Sequence, residues 1–196
     1  MSAREEILRA LRAARAPAAP LPEPGPGLRF ADPASEFAAG VVAAGGVCHR
    51  VPDLAAVNRA LPDLGCMRGA ARVASLVPGV GSATVDLASV ADPHALEGID
   101  VAILPGELAV AENGAVWIDG ARLGPNRAIF VLPQHLVVVV PAAGLVLDMH
   151  QAYERLWFDP PGFGLFLAGP SKTADIEQSL VIGAHGARSA TVFLVG

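Results

Sequence analysis

The order of strand-like and helix-like segments predicts an α/β protein: a mostly parallel sheet flanked by helices, with an antiparallel β-hairpin. Short apolar runs alternate with helical patterns, which is typical of parallel strands whose connecting helices cover both faces of the sheet. One pair of runs is joined by Asn113-Gly114, a strong hairpin signal. The 196 residues are 53% hydrophobic and 17% charged, so the chain can bury a core without disulfides or metal ions.

The first segment of the chain predicts a helical arm ahead of the main domain. Ser2 and Glu5 form a capping box, and apolar residues follow at helical spacing. Residues 17–27 are rich in proline and predict an extended linker. We therefore divide the chain into residues 1–27, the helix and linker, and residues 28–196, the α/β domain.

Capping and turn residues set the bounds of the other elements. Asp32 and Asp53 are suited to cap helices, and Gly45 with Gly46 ends the first of these. The hairpin strands cover residues 108–112 and 115–119. Further helices are predicted over residues 149–157 and 173–184, and further strands over residues 47–51, 72–77, 98–104, 128–132, 136–140, 164–168 and 190–195.

Composition and charge exclude several classes of protein. The formal net charge of -5 argues against nucleic acid as a partner, because no basic surface is available for phosphates. The longest apolar run, residues 136–147, is too short to span a bilayer and is interrupted by Pro141. The first residues lack the apolar core of a signal peptide. We therefore expect a cytoplasmic protein, and the apolar composition also allows for surface buried in a homo-oligomer.

The two cysteines, Cys48 and Cys66, form no closely spaced cluster. An iron–sulfur cluster or a structural zinc ion is therefore not expected on this chain. A disulfide is open in principle, but two reduced thiols fit a cytoplasmic protein better. His150 and Glu154 share a helix face at a spacing that metal ligands use. No second pair accompanies them, so we expect no metal site.

One loop of the chain has the features of an anion site. It joins a predicted strand to a predicted helix, and ligands of open α/β sheets bind beyond the carboxyl ends of strands. Gly169 allows a tight turn, and Ser171 and Thr173 can cap the helix. Lys172 opposes the dipole at a helix start unless an anion binds there. We therefore predict a small anionic ligand at these four residues. Alternatively, Lys172 pairs with Asp175 or points to water.

Three other side chains are candidates for chemistry. Glu112 ends a hairpin strand on a face that we expect to be buried, and a buried carboxylate is either paired or functional. The alternative is an ion pair with Arg122 or Arg127. Arg127 precedes a predicted strand and could hold a carboxylate or phosphate, or could lie on the surface. His135 opens an apolar strand and could face a cleft or lie in the core.

Several motifs of the chain together resemble one known family. Gly169-Pro-Ser-Lys-Thr-Ala-Asp-Ile-Glu177 is followed by Leu180-Val-Ile-Gly-Ala-His-Gly186. The middle of the chain contains Ala111-Glu-Asn-Gly-Ala115 and Leu132-Pro-Gln-His135. With the N-terminal helix, these blocks closely resemble the lactate-utilisation protein C family of LUD-domain proteins over most of the chain. Asn113 departs from the family pattern, in which we expect threonine more often.

The resemblance implies both a fold and a role. The fold would be that of the NagB, RpiA and CoA-transferase superfamily. The role would be in the oxidation of L-lactate to pyruvate beside two other proteins, at least one of which carries iron–sulfur clusters. This chain would bind no cofactor itself, and the clusters would lie on its partner proteins. We therefore expect a subunit or accessory factor that binds a small anionic ligand.

A second resemblance concerns Glu112 alone. The stretch Ala111-Glu-Asn-Gly114 is similar to the Ser-Glu-Asn-Gly motif of CoA-transferases, whose glutamate attacks an acyl-CoA. The resemblance implies Glu112 as a catalytic nucleophile. However, the chain is much shorter than a complete CoA-transferase and has no convincing glycine loop for CoA. A third hypothesis is a ligand-binding or regulatory domain without catalysis.

Overall fold

The structure, a computed structural model, describes residues 2–16, 19–20, 22–23, 25–156, 162–174 and 180–196. The α-helices are α1 (Ala3–Ala13), α2 (Pro33–Ala43), α3 (Leu54–Ala60), α4 (Gly120–Leu123) and α5 (Met149–Arg155). The strands are β1 (Val47–Val51), β2 (Val73–Ser75), β3 (Val101–Pro105), β4 (Leu108–Val110), β5 (Ala115–Asp119), β6 (His135–Pro141), β7 (Leu145–Val146), β8 (Gly164–Leu167), β9 (Lys172–Ala174), β10 (Leu180–Ile182) and β11 (Ser189–Val195). Short 3-10 helices include Gly65–Met67 and Arg127–Phe130.

The main sheet has five parallel strands in the order β1-β11-β6-β3-β2. Side chains of β6 alternate between its two faces, as a strand requires. The even-numbered apolar residues of β6 join the core cluster that includes Phe37 of α2. Val137 and Val139 join a second cluster that includes Val57 of α3. Apolar groups therefore cover both faces, and this explains why the strands of this sheet read as almost uninterrupted apolar runs.

The second sheet is mixed, with the strand order β7-β4-β5-β8. β5 pairs antiparallel with both β4 and β8, and β4 pairs parallel with β7. Val116 and Ile118 of β5 face the core shared with α2, whereas Ala115 packs with Ala152 of α5 on the other side. The predicted fold class, a mostly parallel sheet flanked by helices with an antiparallel hairpin, is confirmed.

The β4–β5 hairpin differs from the prediction in the length of its loop. Val110 pairs with Ala115, so the loop comprises residues 111–114 and the first strand ends two residues earlier than expected. Glu112 therefore lies in the loop and is exposed, and the expectation of a buried carboxylate was wrong. Gly114 has φ +69°, and an added Cβ would lie 2.2 Å from the backbone nitrogen of Val41. Only glycine fits where this loop rests on α2.

The helix predicted over residues 173–184 is wrong. Lys172–Ala174 and Leu180–Ile182 are strands that pair antiparallel, and residues 175–179 lie outside the described residues. Short apolar runs do not distinguish a helix from a strand by period alone. The β-branched residues Thr173, Val181 and Ile182 favour the extended conformation that the structure has.

The strand predicted over residues 128–132 is also wrong. The 3-10 helix Arg127–Phe130 occupies most of this segment. This single turn buries Ile129 completely. The apolar residues of the segment therefore contribute to the core from a 3-10 turn and not from a strand.

The first helix follows its capping signal. Ser2 and Glu5 bond reciprocally as the predicted capping box, and no residue of α1 is buried. The helix predicted from residue 149 is described to Arg155, and residue 157 lies outside the described residues. Within the described ranges, no helix combines the length and apolar character needed to cross a membrane.

Candidate anion-binding cleft at the start of the parallel strands

Parallel strand register brings polar residues from distant parts of the chain to one edge of the main sheet. His135 is the first residue of β6 and lies opposite Val101 of β3 and Ser189 of β11. Asp100 and Arg188 immediately precede these two partners. Because neighbouring parallel strands start at the same edge, a carboxylate, an imidazole and a guanidinium group converge there.

Backbone hydrogen bonds tie these strand starts together. The His135 N–H donates to the Asp100 carbonyl at 2.9 Å, and the Asp100 N–H donates to the Arg72 carbonyl at 2.9 Å. On the other side of β6, the Arg188 N–H donates to the Gln134 carbonyl at 2.7 Å. The segments that lead into four strands of the main sheet are therefore held at fixed spacing.

The Asp100 carboxylate fixes the neighbouring loop. One of its oxygens accepts hydrogen bonds from the N–H groups of Ala71 and Arg72, both at 2.8 Å. These bonds, from Arg72 first and then from Ala71, lower the pKa of Asp100 below its ordinary value. The carboxylate is thus ionised at neutral pH, and it holds in place the loop that carries Arg68.

A polar cleft of about 290 Å³ opens over these strand starts. We call it the strand-start cleft and define it by six of the residues that line it: Cys66, Arg68, Asp100, Gln134, His135 and Arg188. Two of the six are permanently cationic, and the single carboxylate is already bonded to backbone N–H groups. The cleft therefore has the charge and the fork-shaped donors that a carboxylate or phosphate ligand requires.

His135 and Cys66 are the groups of the cleft that could exchange protons. The Nδ1 atom of His135 lies 2.8 Å from the Ser189 hydroxyl oxygen. Burial, followed by the nearby charge of Arg188, lowers the pKa of His135, so its imidazole is neutral at pH 7. Burial raises the pKa of the Cys66 thiol. A neutral imidazole beside two guanidinium groups can accept a proton or donate a hydrogen bond to a bound anion.

Comparison with known proteins places the chain in a family. The model of the LUD domain matches residues 74–195, which include every strand of the main sheet except β1 and part of β2. The chain belongs to the LUD domain family. Within this LUD domain, four of the six cleft residues, Asp100, Gln134, His135 and Arg188, lie on or beside the central strands.

Curated relatives of this LUD domain include proteins named lactate utilization protein C. The protein from Shouchella clausii is 34% identical over 102 residues, which cover 49% of this chain and 44% of the relative. That from Geobacillus kaustophilus is 32% identical over 124 residues, covering 60% and 48%. That from Bacillus subtilis is 31% identical over 105 residues, covering 50% and 43%. The chain thus spans a little under half the length of these relatives.

A solved structure supports the fold of the LUD domain. The crystal structure of a DUF162 family protein from Deinococcus radiodurans superimposes with a TM-score of 0.60. The superposition covers 86% of this chain and 99% of the Deinococcus radiodurans chain, at 18% sequence identity. At this identity the similarity establishes the architecture of the two sheets and says nothing about a shared ligand.

The predicted site residues do not line a single pocket. His135 lines the strand-start cleft, whereas Gly169 and Ser171 line a neighbouring pocket. Thr173 pairs with Val181 across the β9–β10 hairpin. Arg127 is absent from the lining of the strand-start cleft, and its guanidinium carbon lies 5.2 Å from the centre of the Phe163 ring.

Lys172 has a structural position that the sequence did not reveal. Its Nζ donates to the carbonyl oxygen of Ala44 at 2.8 Å and more weakly to that of Ala168 at 3.4 Å. Ala44 is the C-cap residue of α2, and a cation stabilises that end of a helix dipole. No helix starts at Lys172, so the predicted conflict with a dipole does not arise.

Glu112 also has a structural partner. Its carboxylate accepts a hydrogen bond from the N–H of Met149, the first residue of α5, at 3.0 Å. The sequence offered Arg122 and Arg127 as partners of Glu112, but both contact other residues. Arg122 pairs with Glu107 at 2.5 Å, and the guanidinium group of Arg127 lies over the Phe163 ring. A nucleophilic role for Glu112 stays a prediction, and the geometry shows a carboxylate that caps a helix.

Sequence reasoning missed Arg68 and Arg188 as site residues. A signal was present, because Asp100, His135 and Arg188 each stand at the start of an apolar strand run. This signal identifies a site only when the strand order is known, because that order places the first residues of β3, β6 and β11 side by side. Among the described residues, no group of three or more His, Cys, Asp or Glu side chains is placed to share a metal ion.

Proposed function

We propose that this chain works in lactate utilisation, as a component of a system that oxidises L-lactate to pyruvate, and that it binds a small carboxylate in the strand-start cleft. The observation that carries the proposal is the convergence of Arg68, His135 and Arg188 on one cleft of a LUD domain. The link to lactate rests on the relatives named lactate utilization protein C.

The chemistry of the cleft suits a 2-hydroxy or 2-keto carboxylate. A guanidinium group binds both oxygens of a carboxylate through parallel hydrogen bonds. The neighbouring His135 and Gln134 supply groups that can bond a hydroxyl or keto oxygen on the next carbon. The chain would therefore bind and orient the substrate or product.

The oxidation itself needs an acceptor for two electrons, and we assign this role to iron–sulfur clusters on partner proteins. The two cysteines support that division, because Cys48 and Cys66 pack against different core clusters on opposite faces of the main sheet. A cysteine set that binds a cluster must be gathered in one place.

The binding part of the proposal is tested by titration calorimetry with L-lactate and pyruvate. We expect Arg188→Gln to weaken binding at least tenfold, because a charge-assisted hydrogen bond contributes about 1.5–3 kcal/mol. Arg122→Gln is the matched control, since that arginine pairs with Glu107 outside the cleft, and it should bind as the unmodified protein does. No measurable binding of either ligand would remove the binding proposal.

The system part is tested by reconstitution. The chain would be co-expressed with candidate iron–sulfur partner proteins, purified through a tag on this chain, and assayed for lactate oxidation. We expect co-purification, and a lower rate when the chain is omitted or carries Arg188→Gln. An unchanged rate together with no co-purification would refute a role in that system.

A further inference from the structure

A mostly apolar pocket of about 230 Å³ lies next to the strand-start cleft. One wall includes Leu165 and Leu167 of β8, the edge strand of the second sheet, and the opposite wall includes Leu136 of β6. Leu165 and Leu167 are half-buried, and Leu136 is buried. The pocket therefore offers an apolar surface that a ligand could cover without opening the core.

A polar channel lies between this pocket and the strand-start cleft and shares lining residues with both. The channel, about 260 Å³ in volume, shares Val131 and His185 with the apolar pocket. It shares Gln134 and Arg188 with the strand-start cleft. Polar groups thus lie at one end of three adjoining pockets, which together we call the groove, and apolar groups lie at the other end.

The groove is larger than lactate requires. Pockets that bind ligands of drug size have volumes of about 300–1,000 Å³. The three adjoining parts have volumes of about 290, 260 and 230 Å³, so each lies just below that range. Pockets for ligands of drug size are lined mainly by apolar side chains, with a few polar groups that fix the orientation of the ligand. The separation of the cationic end from the apolar end matches a ligand with an anionic head and an apolar body.

We propose that the groove binds an amphipathic carboxylate, with its anionic group between Arg68 and Arg188 and an aryl or alkyl body in the pocket under β8. This inference rests on the proposed function, because it takes the strand-start cleft as the anion site. It adds that the preferred ligand class is larger than lactate and that the β8 pocket selects it.

The inference is tested by calorimetry with three carboxylates. L-Lactate and L-3-phenyllactate share a 2-hydroxy acid head and differ in body, whereas octanoate keeps only the carboxylate and has an alkyl body. Burial of a phenyl ring contributes about 1.5–3 kcal/mol, so phenyllactate should bind at least tenfold more tightly than lactate. Val131→Asp puts a charge where the channel meets the apolar pocket, at a residue that is 39% exposed. It should bring the ratio of the two affinities close to one.

Val42→Asp is the matched control, because Val42 is an exposed apolar residue of α2 and lies on none of the three parts of the groove. It should keep the affinity ratio. Methyl NMR spectra of the unmodified protein give an independent readout, in which phenyllactate should shift the methyl signals of Val131 and Leu165 and leave those of Val42 in place. Equal affinities for lactate and phenyllactate would overturn the inference and leave the proposed function standing. Absence of binding by all three carboxylates would overturn both.

Discussion

The strand-start cleft and the loop at residues 111–114 both contain the residue types from which active sites are built, but their polar atoms are used differently. In the loop, the Glu112 carboxylate caps α5 and the Asn113 side-chain oxygen accepts from the Ala115 N–H at 2.9 Å. In the cleft, His135 and Arg188 keep side-chain groups available to a ligand.

The difference teaches that a short motif is a poorer guide to a site than strand register. Glu-Asn-Gly in the loop is explained by a hairpin turn that must rest on α2 and cap α5. The cleft has no contiguous motif, because its residues come from four separate segments that meet only when the parallel strands align. Substitutions in the two regions should accordingly affect different quantities, stability for the loop and ligand affinity for the cleft.

The largest effect is expected from Gly114→Ala. The residue combines φ +69° with a Cβ position only 2.2 Å from backbone of α2, so the loop must shift, at a cost of about 3 kcal/mol or more. Gly79→Ala is the control, because Gly79 has φ +74° with open space around it and should lose only about 1 kcal/mol. Urea unfolding measures both free energies. Equal losses would show that contact with α2 does not constrain the loop.

Asp100→Ala should affect stability and affinity together. It removes the acceptor of two backbone N–H groups, which we expect to cost about 2 kcal/mol, and it frees the loop that carries Arg68. Because the pKa of Asp100 is lowered in the folded protein, its contribution is complete above its ordinary pKa and is lost as the pH falls through the folded-state value.

The control for this variant is Asp119→Ala, which removes a single cap on the Ala121 N–H outside the cleft. It should lower stability by about 1 kcal/mol and leave lactate affinity unchanged. Unfolding at pH 3 and pH 7, combined with lactate titration, distinguishes the two variants. An Asp100 variant that retains full lactate affinity would show that the position of the Arg68 loop is unimportant for binding.

A smaller effect is expected from the titration of His135. Its pKa is lowered by burial and by Arg188, while Asp100 opposes that shift, so the imidazole is neutral at pH 7. A bound anion favours the protonated form, and binding therefore takes up protons. Lactate remains an anion at these pH values, and its affinity should rise about threefold between pH 8 and pH 6.

His135→Gln should abolish this pH dependence. The affinity would be measured in buffers of matched ionic strength, because salt screens the arginine charges. A pH dependence that persists in the glutamine variant would place the titrating group elsewhere in the cleft.

The smallest effect is expected from Lys172→Met. The variant removes the cation at the end of α2 and should cost about 0.5 kcal/mol of stability. Lactate affinity should not change, because the loop that contains Lys172 holds no helix start for an anion. Thermal unfolding measures the change in stability, and calorimetry measures the lactate affinity. A tenfold loss of affinity would support the prediction that this loop binds the anion.

Much of the main sheet could be predicted from the sequence. The strands predicted over residues 47–51, 136–140 and 190–195 correspond to β1, β6 and β11, since long apolar runs with clear end signals are the easiest to recognise. The helix that begins after Asp32 also follows its caps. These elements are determined by local signals and by burial on both faces.

The parts that could not be predicted depend on contacts between distant residues. The position of the Lys172 side chain is explained by its hydrogen bond to the Ala44 carbonyl, 128 positions away in the chain. The segment at residues 173–184 had an apolar spacing compatible with a helix, and the pairing of β9 with β10 decided between the two conformations. Of the six residues that define the strand-start cleft, only His135 was predicted from the sequence as a site residue. The strand order places Arg188 beside it, and neither segment contains a local signal for that order.

The position of β11 has a consequence for the order of folding during synthesis. β11 is distant from β1 in sequence, but it lies between β1 and β6 and is the strand that joins them. A ribosome-bound chain that lacks residues 189–195 has no neighbour for β1 in the main sheet and leaves one side of β6 unpaired. Such non-local pairing slows folding and exposes strand edges that can aggregate. We therefore expect nascent chains to need protection by chaperones until β11 leaves the ribosome.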